Sequence, residues 1–449
     1  MSVIGSVSLA GACAGSPALA QTAETGPPPG VAGSSATAAR YLDPVQGASS
    51  NDLVRRALTS NGELAAARLD VDRARARLLQ AGLRPNPVVD FEHTTERVTG
   101  AGTDRFNVVG FALPLELGGK RGRRLELAQA ELEAAEAEVA DRERRLTGEA
   151  LAAYAEALAA LHELEITERV NELNLQTVSV VKIRVDEGET APLELNLLQV
   201  EVERLRSRRA LIEGRLQAAL ILLKSRAGIP PDETLRLRED LATLVLPAPP
   251  ASVEAAVEIA LRSRPDLRLA RLNEEAAQAG LRLARAQATP DATVFTRYTF
   301  DRTLTDLPVP LVPVPNYSRR VTFGVSFGLP LFNKNQGGQA EAAATIAQAQ
   351  RRREFAEAVV RAEVTSTYTR YQAAQAALAT FERGVIERSN QNIQTIRAAY
   401  QIGAYRVTDL LAEQRRLVDS QRDFTEALTE RYRARADLQS AIGAPLTAK

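Results

Sequence analysis

The sequence predicts a mainly α fold with a membrane β-barrel part, a plan of helix, hairpin, long helix and short helix laid down twice. Three observations predict it: an internal repeat offset by 215 residues, two long proline-free runs with heptad spacing, and short segments in which apolar residues alternate with polar or small ones.

The repeat shows first in three pairs at that one separation: Gly188 with Gly403, Glu194 with Asp409, and Gly228 with Gly443. Each half opens with an amphipathic stretch (51–83; 252–287) and passes a proline (Pro85 and Pro87; Pro290) into a β-rich segment. Each then reaches Leu-Pro-Leu (Leu113, Pro114, Leu115; Leu329, Pro330, Leu331), a glycine-containing turn and a very long helical run. The repeats are bounded at 51–228 and 252–443. Proline clusters mark extended linkers at 21–50 and 229–251, and 444–449 form a tail.

The long runs, 119–185 and 337–402, contain no proline. At 1.5 Å per residue each would reach roughly 100 Å, too long for a globular core to bury. In the first, Leu125, Leu132, Val139 and Leu146 recur every seven residues, with Ala128 and Ala135 three places after the first two. The second carries Phe355, Val359, Ala362, Ser366, Thr369, Ala373, Ala376 and Thr380 at alternating spacings of four and three. Both are coiled-coil spacings. A short glycine turn at Gly188 and at Gly403 then folds each run back on a shorter helix as an antiparallel hairpin.

The β segments carry the opposite periodicity. Along 320–329, Val321, Phe323, Val325, Phe327 and Leu329 share one face, and Arg320, Thr322, Gly324, Ser326 and Gly328 the other. That is the pattern of a strand with lipid on one side and water on the other. Segment 104–115 repeats it more weakly, with Asn107, Val109, Phe111 and Leu113 on one face, and 88–97 and 292–301 are the hairpin partners. The hairpins thus span 88–115 and 292–331. Closing even the smallest membrane barrel takes about eight strands, so four per chain require strands from other subunits. No segment holds the ~18 consecutive apolar residues of a spanning helix.

Composition narrows the function. Lys plus Arg (56) equals Asp plus Glu (56), which argues against a nucleic-acid binder. One cysteine and two histidines allow neither a disulfide framework nor a zinc site. His93 falls in a strand and His162 in a helix, where His162-Glu163-Leu164-Glu165-Ile166 lacks the second histidine of a zinc-hydrolase motif. Gly119-Lys120 is no phosphate loop. No catalytic, cofactor or metal residues are therefore assigned, and the chain is read as no enzyme. Residues 1–20 read as a secretory signal cleaved after Ala20 in Ala18-Leu19-Ala20. Cys13 is part of that signal or, if the preceding Leu9-Ala10-Gly11-Ala12 serves as a lipobox, a lipidation site.

With these motifs in order, the chain resembles the TolC family of outer-membrane efflux proteins over nearly its whole length. Besides the repeated plan, the resemblance rests on Leu-Pro-Leu before the long helix and on Gly188-Glu189-Thr190-Ala191-Pro192-Leu193-Glu194-Leu195, matched by Gly403-Ala404-Tyr405-Arg406-Val407-Thr408-Asp409-Leu410. The run Leu117-Gly118-Gly119-Lys120-Arg121-Gly122-Arg123-Arg124 is similar to the heavy-metal branch, the CzcC-like partners of cation pumps. The resemblance implies a homotrimer with a shared 12-strand barrel in the outer membrane, continued by an α-helical tunnel across the periplasm. An equatorial region would form from 229–251 and the termini, and an adaptor protein and an inner-membrane RND-type pump would be partners. The tips around Gly188, Glu189, Thr190, Gly403, Ala404 and Tyr405 would dock the adaptor. Glu194, Tyr405, Arg406 and Asp409 would form the gate.

Against that assignment, Glu194 and Asp409 stand in first helical turns, where a carboxylate is favoured as a cap alone. Family members often carry a second carboxylate three residues further on; here that position is Ala412, so an acidic ring would rest on Asp409. Lys120, Arg121, Arg123 and Arg124 are expected to anchor the chain at the membrane boundary. The competing functions are a duct for drugs or type I secreted polypeptides, and a soluble periplasmic coiled-coil scaffold. The scaffold leaves the alternation at 321–329 unexplained.

Overall fold

The computed structural model describes residues 40–95, 104–241, 248–305 and 314–443. The expected signal segment with Cys13, residues 21–39 of the N-terminal linker and the tail 444–449 lie outside the described residues.

Each repeat opens with two helices where one was expected. Helix α1 (Ser50–Ser60) starts at Ser49, whose hydroxyl accepts the Asp52 N–H while the Asp52 carboxylate accepts the Ser49 N–H. It ends at Asn61, whose side chain caps α2 (Gly62–Ala81) through the Leu64 N–H. An amide side chain that competes for backbone N–H groups, followed by glycine, is enough to divide the run. In the second repeat Pro265 does the same. It cannot donate to the preceding turn, so Arg264 is extended between α5 (Val253–Ser263) and α6 (Pro265–Gln287).

Helix α3 (Lys120–Asp186) runs unbroken for 67 residues, and α4 (Pro192–Ala227) returns along it. Its counterpart is broken. The run expected over 337–402 divides into α7 (Gln336–Thr380), a π-helical stretch (Phe381–Val385) and α8 (Ile386–Gln401), before α9 (Val407–Ile442) returns. The cause is Gly384, at φ +147° and ψ −2°, a conformation that no residue of a regular helix adopts. Gly384 aligns with Arg169 in α3, where nothing interrupts the hydrogen-bond ladder.

The heptad reading of α3 picks core residues: Ala128, Leu132 and Leu146 are buried. That of α7 picks a stripe that this chain does not itself cover. Phe355, Val359, Ala362, Ser366, Thr369, Ala373, Ala376 and Thr380 are all exposed in the single chain, and the buried stripe is Val360, Val364, Tyr368, Ala374 and Leu378. Periodicity located two seams on one helix but not which seam this chain itself covers.

The main core lies at mid-height. Tyr154, Leu158 and Leu164 of α3 pack with Ile212, Leu216 and Leu223 of α4 and with Leu237. Each such leucine contributes about 1.5–3 kcal/mol by leaving water. Leu237 comes from the stretch expected as linker, and it is tied down: its N–H donates to the Tyr41 carbonyl and its carbonyl accepts from Asp43 N–H, both at 2.8 Å. The end of the expected N-terminal linker is therefore packed, because Tyr41 and Leu42 have apolar surface to bury. A second core joins Ala256, Ala260 and Leu267 to Val360, Val364, Leu438 and Ile442.

The four strands, β1 (Val88–Thr95), β2 (Arg105–Leu115), β3 (Ala292–Thr305) and β4 (Val314–Phe327), form one antiparallel sheet in sequence order, leaving β1 and β4 as edges. β3 and β4 each run 14 residues, beyond the ten expected. β4 stops at Phe327, so Leu329 lies past the strand; Pro330 cannot donate to a ladder, and the chain turns there.

Candidate functional site

Two regions carry the features that the sequence singled out: the sheet and the paired hairpin tips. In the sheet, antiparallel partners share a face, so the register arranges one face in rungs. From the helical end outward these are Leu115, Ala292 and Phe327; Leu113, Val294 and Val325; Val89, Phe111, Thr296 and Phe323; and Phe91, Val109, Tyr298 and Val321. This band is almost wholly apolar and open to the surroundings, Phe323 being 80% exposed. The expected lipid-facing residues Val321, Phe323, Val325 and Phe327 all belong to it. On the opposite face small residues make room for large neighbours. A Cβ on Gly324 would meet the Phe295 ring at 2.4 Å, and one on Gly110 the Asp90 carboxylate at 2.3 Å.

Just below the sheet, the basic run is engaged with the protein. Lys120 pairs with Asp291 at 2.8 Å and Arg124 pairs with Glu116. Arg121 Nε donates to the Gly82 carbonyl at 2.6 Å, and Arg124 reaches the Ala81 and Leu83 carbonyls. Cations at the end of α2 satisfy carbonyls that the helix leaves unpaired. Arg123 pairs with Glu126. These contacts within the chain fix all four side chains just below the sheet.

The two tips have the same backbone. Gly188 (φ +79°) and Gly403 (φ +78°) are left-handed. At the first, Glu189 N–H donates to the Arg184 carbonyl at 2.8 Å and Gly188 N–H to Val185 at 3.0 Å. At the second, Ala404 donates to Ala399 at 2.9 Å and Gly403 to Tyr400 at 3.0 Å. Both are Schellman closures, which require a positive φ and favour glycine. Glu189, Thr190, Ala404 and Tyr405 follow on the turn surface, and the neighbouring Ile402 is 82% exposed.

The equivalent carboxylates do different work. The Asp409 carboxylate accepts the Arg406 backbone N–H at 3.1 Å and so caps α9. Glu194 instead reaches across to the other hairpin, where its carboxylate accepts the Tyr400 hydroxyl at 3.2 Å. Burial and then the Glu194 charge push the Tyr400 phenol up to about 12, so it remains a donor at neutral pH. Arg184 donates to the Gln401 carbonyl at 2.9 Å, and Arg415 pairs with the buried Glu201 at 2.9 Å. Val181, Leu198, Tyr400, Val407 and Leu410 close an apolar cluster beneath. The tips are joined side by side. Sequence reasoning missed Tyr400, although the repeat offset pairs it with Val185, which packs against the same cluster.

The two histidines lie apart from both tips. His93 meets Asn107 at 2.7 Å in the sheet. His162 sits at mid-height, 3.8 Å from Asp240, where burial pushes its imidazole down. Nearby, burial followed by Asp240 repulsion lifts the Glu165 carboxyl to about 7. Among the described residues no group of three or more His, Cys, Asp or Glu side chains could hold a metal ion, and no helix is long and apolar enough to cross a membrane.

Comparison with known proteins bears on the whole chain. It is 22% identical over 385 residues to the cobalt-zinc-cadmium resistance protein CzcC of Cupriavidus metallidurans, covering 86% of this chain and 87% of that one. The nickel and cobalt resistance protein CnrC of the same organism is 26% identical over 308 residues, 67% of this chain and 68% of the relative. Among solved structures, CusC superposes with a TM-score of 0.70 at 20% identity, over 88% of this chain and 92% of that one. The outer membrane protein VceC from Vibrio cholerae does so at 0.68 and 21%, over 89% and 97%. Residues 53–228 and 256–444 match the outer membrane efflux protein family, and the chain belongs to it.

Proposed function

We propose that this chain is the outer-membrane channel subunit of a tripartite efflux system. It is a passive trimeric duct that catalyses no reaction and carries heavy-metal cations from a periplasmic adaptor and RND-type pump to the outside. The observation that carries this reading is the sheet: four strands with an exposed apolar face and two unpaired edges, standing on a helical body whose longest helix, α3, reaches roughly 100 Å. Lipid tolerates no open edge, so the strands of three chains would close one barrel of twelve. The resistance proteins named above support cations as cargo.

In this reading Gly188, Glu189, Thr190, Gly403, Ala404 and Tyr405 meet the adaptor, and Glu194, Tyr405, Arg406 and Asp409 surround the periplasmic mouth. The test is Gly403→Val. No atom lies within 4 Å of a Cβ at Gly403, so the change acts through backbone conformation, at about 1–2 kcal/mol for a left-handed residue. Metal export from cells should fall while the trimer remains inserted, and crosslinking to the adaptor should fall in parallel. Export unchanged by a distorted tip would overturn the reading.

The gate residues make a separate prediction. Three Asp409 side chains around a symmetry axis would repel, so Arg406→Glu should raise the resting conductance of purified trimers in planar bilayers. Asp409→Asn should lower cation preference while preserving the helix start, since Asn caps as well as Asp. Conductance and ion preference indifferent to both changes would leave Asp409 as a cap and nothing more.

A further inference from the structure

The outward face of the sheet changes character at the end farthest from the helices. Beyond the apolar band, the next rung holds His93, Asn107, Phe300 and Arg319, and the one after it holds Thr95, Arg105, Arg302 and Tyr317, with only Leu304 and Pro315 of β3 and β4 beyond them on this face. Three arginines therefore crown a surface that is otherwise uncharged. Arg319 lies one rung, or about 7 Å, above Val321. Its guanidinium sits 5.8 Å from the Phe300 ring, and that ring stacks on Tyr317 at 6.3 Å.

These arginines differ from those of the helical body, such as Arg353, Arg370 and Arg415, which meet carboxylates. Among the described residues no carboxylate pairs with Arg105, Arg302 or Arg319, and the buried Nε of Arg302 has no acceptor. A guanidinium withdrawn from water calls for an anion, and its planar fork matches phosphate oxygens in a bidentate way. The aromatic rings mark the level of a membrane interface. The charge, the unused N–H and the continuity with the apolar band together select one occupant.

We propose that Arg105, Arg302 and Arg319 form a binding site on the outer wall of the barrel for the phosphate-bearing headgroup of an outer-leaflet lipid. Its acyl chains lie along the band below. The site rests on the reading of this face as a lipid-facing wall.

The probe is diphosphorylated lipid A, a minor component of phosphatidylcholine nanodiscs holding the full-length channel, with retained lipid measured by native mass spectrometry. Wild type should retain lipid A, and should lose it when the lipid is dephosphorylated. The triple variant R105Q/R302Q/R319Q should retain about tenfold less, as the loss of even one charge-assisted contact predicts. The single variant R302Q serves if the triple does not assemble, with a smaller loss in the same direction. The double variant R297Q/R320Q alters arginines on the opposite face and should retain lipid A like wild type. Equal retention by the triple variant and wild type, or equal binding of dephosphorylated lipid, would overturn the headgroup site while leaving the wall reading intact. A wild-type channel that fails to enter lipid-A-free phosphatidylcholine bilayers would instead sink the wall reading, and the site with it.

Discussion

Replacing Arg264 with leucine should destabilise the second repeat by about 2–4 kcal/mol, the cost of stripping a buried charge from its partners. Arg264 is only 3% exposed. Its guanidinium holds Asp266 through Nε at 2.9 Å and Nη2 at 2.6 Å, Glu363 at 2.7 Å and the Ala441 carbonyl at 2.9 Å. One side chain thus ties the start of α6 to α7 and to the end of α9. Without it the half-buried Asp266 carboxylate loses its hydrogen-bonded counter-charge and keeps only the Arg144 charge. The measurement is the temperature at which purified trimers dissociate on semi-native gels. Adding Asp266→Leu should restore part of the loss, because the stranded charge goes too. Acid provides a second check. Burial alone would raise the Asp266 carboxyl, but Arg264 and then Arg144 outweigh it, and the group is held below its ordinary value. Its contribution is therefore full above about pH 4 and is lost as the pH falls through the lower folded value. The Arg264→Leu variant should lack that acid-dependent increment; an unchanged acid profile and dissociation temperature would remove Arg264 from this role.

Phe323→Arg should block membrane assembly. The residue stands mid-band on the apolar face, where a charge facing hydrocarbon costs about 2–4 kcal/mol per chain. In the proposed trimer, three copies in one barrel would multiply the penalty. Ser326→Arg places the same charge on the opposite face, beside Thr293, and should be milder. Heat-modifiable trimers in extracted outer membranes report the outcome. Equal defects at the two positions would mean that the faces are assigned the wrong way round.

Much of this architecture was legible in the sequence because it depends on local periodicity and local backbone chemistry. Period-two alternation marked the faces of β4, because side chains leave a strand on alternate sides whatever lies around it. The glycines at 188 and 403 marked the tips, since a Schellman closure needs a positive φ wherever it occurs. The repeat offset placed Glu194 and Asp409 at equivalent positions. Tertiary structure decided what these equivalents do. Asp409 caps its own helix, while Glu194 meets Tyr400 of the other hairpin, a partner 206 residues away. It also decided which stripe of α7 is buried. Val360 and Val364 meet α5 and α9, whereas the small-residue seam starting at Phe355 faces away, and spacing alone is blind to which neighbour covers which seam. Nothing in the sequence singles out Arg264, and the basic run at 120–124 reads there only as membrane anchors; the fold brings carboxylates and helix-end carbonyls to both. A charge's role depends on the dielectric and partners around it, and those are properties of the packed chain rather than of the sequence.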